Sequence, residues 1–155
     1  MSHPSPDDAS AVEQLVLRGR PKTGWASREF ETVFRVLVEL APEKAAQATQ
    51  TLHLNAWETV NLSGYLPGLS RTSQVRYYES LLAQPGIDAG VRENLYSHMP
   101  NLDERIKDPA QRAADAQPIV RFLESRAAAE TDARAKAAAE QALARLREAV
   151  AQVVK

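Results

Sequence analysis

The stretch NAWETVNLSGYLPGLSRTSQVRYYESLLAQPGIDAGVRENLYSHM, residues 55–99, decides the fold. It holds most of the chain's bulky apolar surface: Trp57, Val60, Tyr65, Val75, Tyr77, Tyr78, Leu81, Leu82, Val91, Leu95, Tyr96 and Met99. Val91, Leu95 and Met99 recur one helical turn apart, which puts them on one stripe of a helix. Proline and glycine punctuate the stretch at Pro67 and Gly68, at Pro85 and Gly86, and at Pro100. Asn55 can cap a segment from Ala56 to Leu66, Ser70 or Thr72 can open the one carrying Tyr77 and Tyr78, and Asp88 can restart the chain after the second break. No apolar-polar alternation bounded by hairpin turns occurs here or elsewhere, so no strand is expected.

Toward the N-terminus, Val12, Leu15 and Val16 place a helix after the capping acceptors Asp7, Asp8 and Ser10, ending near Arg18. Residues 1–6 read as a disordered arm, and Arg20 to Gly24 as a loop. From Ser27 onward, Phe30, Val33, Phe34, Leu37 and Val38 form a strong stripe that Val36 and Leu40 widen. A helix apolar over so much of its circumference is expected to be covered on two sides. Pro42 stops it and suits the first turn of the next helix, Glu43 to Leu52, whose Ala45, Ala46 and Ala48 permit close approach.

Toward the C-terminus, Leu102 and Ile106 allow a single turn. Ile119, Val120, Phe122 and Leu123 mark a helix starting near Pro118, with an earlier turn from Pro109 left open. Pro118 is expected to be a boundary or a kink. Beyond Ser125 the composition shifts to Ala, Glu, Arg and Lys, and Glu130 with Arg134 and Asp132 with Lys136 sit four apart in the favourable order for helix-surface ion pairs. Leu143, Leu146, Val150 and Val153 then form the stripe of a long alanine-rich helix. Upstream of Leu143 that stripe is only alanine, so docking onto the preceding helices is preferred to a coiled-coil seam.

A chain of 155 residues can bury a core without metal or disulfide staples, and residues 7–155 read as a single domain. Nineteen basic against twenty acidic residues leave a net charge of -1, so no global field recruits nucleic acid or an anionic membrane. The absence of cysteine removes disulfides, thiol catalysis and cysteine-ligated zinc. Nowhere do about eighteen consecutive apolar residues occur, and the start lacks an apolar run behind a basic segment, so neither a membrane span nor a secretory signal is expected. These features favour a soluble chain in the cytoplasm.

Catalytic constellations are missing from the sequence. The histidines are His3, His53 and His98, with no pair one turn apart around a glutamate, as a zinc hydrolase helix requires. His98 follows Glu93 by five residues, off the shared face. Ser63 before Gly64 lacks the glycine spacing and the preceding strand of a nucleophile elbow. Glu58, Glu79 and Glu93 read as carboxylates on solvated helix faces. No catalytic residue, no metal ligand and no cofactor site is expected, and the chain does not read as an enzyme.

Three stretches carry resemblances. RGRPK, Arg18 to Lys22, resembles the core of an AT-hook, the extended motif that lays arginines into a narrow A·T-rich minor groove, where the negative potential is concentrated. The resemblance covers five residues, with Leu17 and Thr23 where further basic flanks are usual, and would make Arg18, Arg20 and Lys22 the DNA contacts. The bland reading is a solvated interhelical loop. GLSRTSQVRYYESLL, residues 68–82, resembles the helix-turn-helix of MerR-type regulators, with one residue more between Ser70 and Val75 and no basic wing following. That resemblance implies that Arg76 and Tyr77 face a DNA backbone; otherwise Tyr77 and Tyr78 pack with their hydroxyls at the rim of the core. The half from Arg71 onward is similar to the C-terminal helical domain of gluzincin zinc aminopeptidases, through RTSQVRYYESLLAQPGI, VRENLYSHMPNLDER, PIVRFLESRAA and EQALARLREAV. It implies a HEAT-like architecture and no catalytic residue.

Breaks about every twelve to sixteen residues give about seven helices with short connections, which favour antiparallel neighbours. The expectation is an all-α domain, a HEAT-like helical-hairpin array or an irregular bundle, ordered around Phe30, Phe34, Trp57, Tyr78 and Leu95. Its expected function is non-catalytic binding of a protein or peptide partner, with Arg71, Arg76 and Arg92 at the rim of the binding face. The alternatives are DNA binding through Arg18, Arg20 and Lys22, with or without Arg76 and Tyr77, and an enzyme whose site is not visible in sequence.

Overall fold

The computed structural model describes residues 6–18, 28–55, 58–60, 62, 69–99 and 106–152, and among these no residue is in a strand. The protein is all-helical. Seven helices have defined bounds: α1 Pro6–Arg18, α2 Arg28–Leu40, α3 Pro42–Thr51, α4 Arg71–Leu82, α5 Ala89–Ser97, α6 Pro109–Ala129 and α7 Ala133–Ala151. Residues 58–60 and 62 are helical as well. The sequence reading treats residues 7–155 as one domain; by its contacts the chain falls into two compact units, Met1–Pro85 and Gly86–Lys155, each described by itself.

The helix starts obey their local chemistry. Ser70 caps α4 by accepting from the Ser73 N–H at 3.2 Å, and Asp88 caps α5 by accepting from the Val91 N–H at 2.9 Å. Asn55 and Glu58 form a reciprocal capping box: the Glu58 N–H donates to Asn55 Oδ1 at 2.8 Å, and the Asn55 N–H donates to Glu58 Oε1 at 3.2 Å. Pro6, Pro42 and Pro109 each occupy the first turn of a helix, where a missing N–H costs nothing. His53, with φ +51°, closes α3 in the left-handed region.

In the first unit α1 packs on α2 and α3, α2 on α3 and α4, and α3 on α4. Phe34, Leu37, Val38, Ala45, Ala46, Tyr77 and Leu81 are fully buried. An aromatic chain runs through this core: Phe30 stacks on Phe34 at 6.3 Å, Phe34 meets Tyr77 edge-on at 5.9 Å, and Tyr77 lies 5.6 Å from Tyr78. Both tyrosines are enclosed down to their hydroxyls, not perched at a rim as the sequence suggested, and burial raises the Tyr78 phenol well above its ordinary range. Each such ring contributes roughly 1.5–3 kcal/mol of burial. The alanine face of α3 brings α4 close enough for Gln84 Nε2 to donate to the Ala46 carbonyl at 2.6 Å. Trp57 and Tyr65 lie outside the described residues.

In the second unit α5 and α6 pack on α7. Leu95, Tyr96, Ile119, Leu123, Ala135 and Ala139 are buried to within 1 % of full enclosure. Two sequence expectations are corrected here. The helix does not start at Pro118: α6 begins at Pro109, capped by Asp108 through the Gln111 N–H at 2.9 Å, and runs on through Pro118. Nor is Glu130 on a helix face opposite Arg134. It is the residue at which α6 ends, and Asp132 caps α7 by accepting from the Ala135 N–H at 2.9 Å, which takes both acids out of the surface pairing that their spacing suggested. The leucines of α7 do dock: Leu143 and Leu146 are buried, while Val153 lies outside the described residues.

Candidate functional site

On the solvent side of α2 the stripe that looked doubly covered is open. Val36 is 44 % exposed, and with Leu40, Leu69, Thr32, Arg35 and Glu39 it lines a groove of about 300 Å³. The helical repeat places Thr32, Val36 and Leu40 in one row, each a turn from the last. Phe30, Phe34, Leu37 and Val38 face the opposite way, into the core, and fix the helix beneath the row. The far wall is tied to α2 by Glu39, whose Oε2 accepts from the Ser70 N–H at 3.0 Å and whose carbonyl accepts from the Ser73 hydroxyl at 3.3 Å. The groove thus has a pinned wall, an aliphatic floor, a guanidinium and a carboxylate, and what those groups can do is hold another surface.

The three arginines expected at a binding rim are placed differently. Arg71 stands at the start of α4, with its Nη1 donating to Gln74 Oε1 at 3.2 Å. Arg76 is exposed, but both its Nε and Nη2 engage Glu43 Oε1 on α3, at 2.8 and 2.6 Å. Arg92, in the second unit, is no rim residue. Its Nε and Nη2 make a two-pronged ion pair with Glu130 at 2.9 Å each, and its Nη1 donates to the Ile87 carbonyl at 3.1 Å.

The Arg92 pair belongs to a buried polar knot. Glu130, with 2 % of its side chain exposed, also accepts from the Tyr96 hydroxyl at 3.2 Å and from the Asp132 N–H at 3.2 Å. Tyr96 in turn accepts from Arg126 Nε at 3.0 Å. The hydrogen bonds from Arg92 hold the Glu130 carboxyl down to about 2, against the opposing effect of burial, and raise Arg92 further. Burial pushes Tyr96 up. Every oxygen of the carboxylate is used inside the protein, so the knot is a structural tie between α5 and the corner joining α6 to α7.

Of the residues that the DNA-binding resemblances point to, Arg18 ends α1 and is exposed, while Arg20 and Lys22 lie outside the described residues. Tyr77 has no exposed surface, which removes it from any phosphate contact. Among the described residues no three His, Cys, Asp or Glu side chains converge to hold a metal ion. No helix among them is long and apolar enough to cross a membrane.

No protein-family model, curated protein or solved structure matches the chain. The site therefore stands on its own geometry. Its one signal in the sequence was the unusual width of the α2 stripe at Val36 and Leu40, which spacing alone cannot assign to a second helix or to an open surface.

Proposed function

We propose that the chain is a non-catalytic helical interaction module, used as HEAT-like helical hairpins are used, with the α2 groove as its docking face for a peptide segment of a protein partner in the cytoplasm. One observation carries this reading: an aliphatic side chain, Val36, stands 44 % exposed in a groove whose wall is hydrogen-bonded in place. An apolar concavity on a fixed helix is the kind of surface that takes an amphipathic or extended segment. Two of the arginines first assigned to the rim, Arg76 and Arg92, are occupied by Glu43 and Glu130, so the floor and not an arginine rim is the recognition element.

The test is selection of a random displayed peptide library on the whole chain, with counter-selection on V36K. Val36 points outward, so this variant is expected to keep the wild-type helical circular dichroism. Peptides that bind the wild type and lose at least about tenfold in affinity on V36K, roughly 1.4 kcal/mol, support the groove. A library that yields no peptide able to tell the two chains apart overturns it.

A further inference from the structure

The chain passes from its first unit to its second at Pro85 and Gly86, and on either side of that step it is fastened to its own unit. Before the step, the Gln84 N–H donates to the Leu81 carbonyl at 3.2 Å and its Nε2 donates to the Ala46 carbonyl at 2.6 Å. After it, the Ile87 carbonyl accepts from Arg92 Nη1 at 3.1 Å, and Asp88 caps α5 through the Val91 N–H at 2.9 Å. Pro85 and Gly86, between these anchors, are both exposed. Gly86 has φ +98°, a left-handed conformation that glycine takes without strain, and a Cβ built there would meet nothing within 4 Å. The turn is therefore set by the backbone freedom of one glycine and not by packing around it. An exposed proline–glycine step between two fastened ends is the kind of place at which a chain divides into separately folding parts.

Each unit also closes a core of its own. The aromatic chain of Phe30, Phe34, Tyr77 and Tyr78 lies in the first unit, as does the whole lining of the α2 groove. The ion pair of Arg92 with Glu130, together with Tyr96 and Arg126, lies in the second, beside the buried Leu95, Ile119 and Leu123. Both units are longer than the roughly 40 residues below which a core needs metal, disulfide or oligomer support. We propose that Pro85 and Gly86 join two separate cooperative units of unfolding, so that α5 to α7 open together while α1 to α4 and the groove on α2 stay folded, and the reverse. This conformational independence does not rest on what the groove binds.

Native-state amide hydrogen exchange on the full chain, resolved peptide by peptide, tests it with one buried leucine truncated in each unit, L123A in α6 and L37A in α2. L123A speeds exchange throughout α5, α6 and α7 by about thirtyfold or more, the scale of a core leucine removed, and leaves α2, α3 and α4 within about twofold of the wild type. L37A does the opposite. Should L123A leave the second unit open altogether, its helices exchange at once and the protection of α2 to α4 still matches the wild type. A truncation that speeds exchange in the unit it does not touch, or that fails to reach the other helices of its own unit, overturns the proposal.

Discussion

At the scale of single residues, Glu130 shows how far a side chain's role can lie from its spacing in sequence. Four residues before Arg134 in an alanine-rich run, it resembles half of a surface ion pair worth a few tenths of a kcal/mol. In the fold it is buried and receives four hydrogen bonds, two from Arg92, one from Tyr96 and one from the Asp132 N–H. Its carboxyl falls from an ordinary value of 4.5 to about 2. A group whose folded value is depressed stabilises the protein above its unfolded value, and that contribution is lost as pH falls through the folded one. The shift corresponds to about 3 kcal/mol, fully present above pH 4.5 and gone below about 2. E130Q should therefore lower stability at pH 7 by about 2–3 kcal/mol, because Arg92 keeps its charge but loses the carboxylate that pairs with two of its nitrogens. Denaturant unfolding of both chains from pH 7 down to pH 2.5 checks this: the gap should narrow steadily below pH 4.5, and a gap that stays constant with pH would refute the assignment.

At the scale of elements, Pro118 tests how packing overrides propensity. A proline inside a helix lacks the N–H that would reach the carbonyl four residues back, here that of Ala114, and its ring crowds that carbonyl, at a cost of about 3 kcal/mol. Yet α6 continues through it, because the flanking residues Ala116, Ile119, Phe122 and Leu123 are all buried in the second unit and hold the chain helical on both sides. Ala114 is exposed, so water can satisfy its carbonyl. P118A restores the bond without changing the buried stripe, and should raise the unfolding free energy by about 1–2 kcal/mol, read from the shift in denaturant midpoint at constant slope; no gain would mean that Pro118 costs this helix nothing in the folded chain. The same competition explains what could be read in advance. Helix starts at Pro42, Ser70 and Asp88 were legible because caps and proline act locally, over three or four residues. The start at Pro109 carries the same local signals, an Asp108 cap and a proline in the first turn, whereas the corner at Glu130 and the burial of both tyrosine hydroxyls depend on partners thirty or more residues away, which spacing cannot reveal. The groove was half legible: the extra apolar positions Val36 and Leu40 are in the sequence, but whether a helix covers them is a property of topology.

At the scale of the whole molecule, charge decides between the interaction module and its rival. With a net charge of -1 the chain offers no global attraction to a polyanion, so any hold on DNA would have to come from the basic run Arg18, Arg20 and Lys22. Of the further support suggested by the helix-turn-helix resemblance, Tyr77 is enclosed and Arg76 is paired with Glu43. Three cations neutralising three phosphates give a logarithmic salt slope of about -2.7, so such contact alone weakens about 40-fold between 50 and 200 mM salt. An inserted hook behaves differently, since a narrow A·T-rich groove rewards the arginines through its shape and potential beyond phosphate contact. Fluorescence anisotropy against A·T-rich and G·C-rich duplexes at both salt concentrations separates the cases. The expected result is weak binding, equal for the two duplexes and lost at the higher salt, with R20A/K22A removing what little remains. A preference for the A·T duplex of tenfold or more that survives 200 mM salt and disappears in R20A/K22A would instead make the RGRPK run the working element. The helices would then serve to carry it, and the groove on α2 would need no partner to account for the protein's activity.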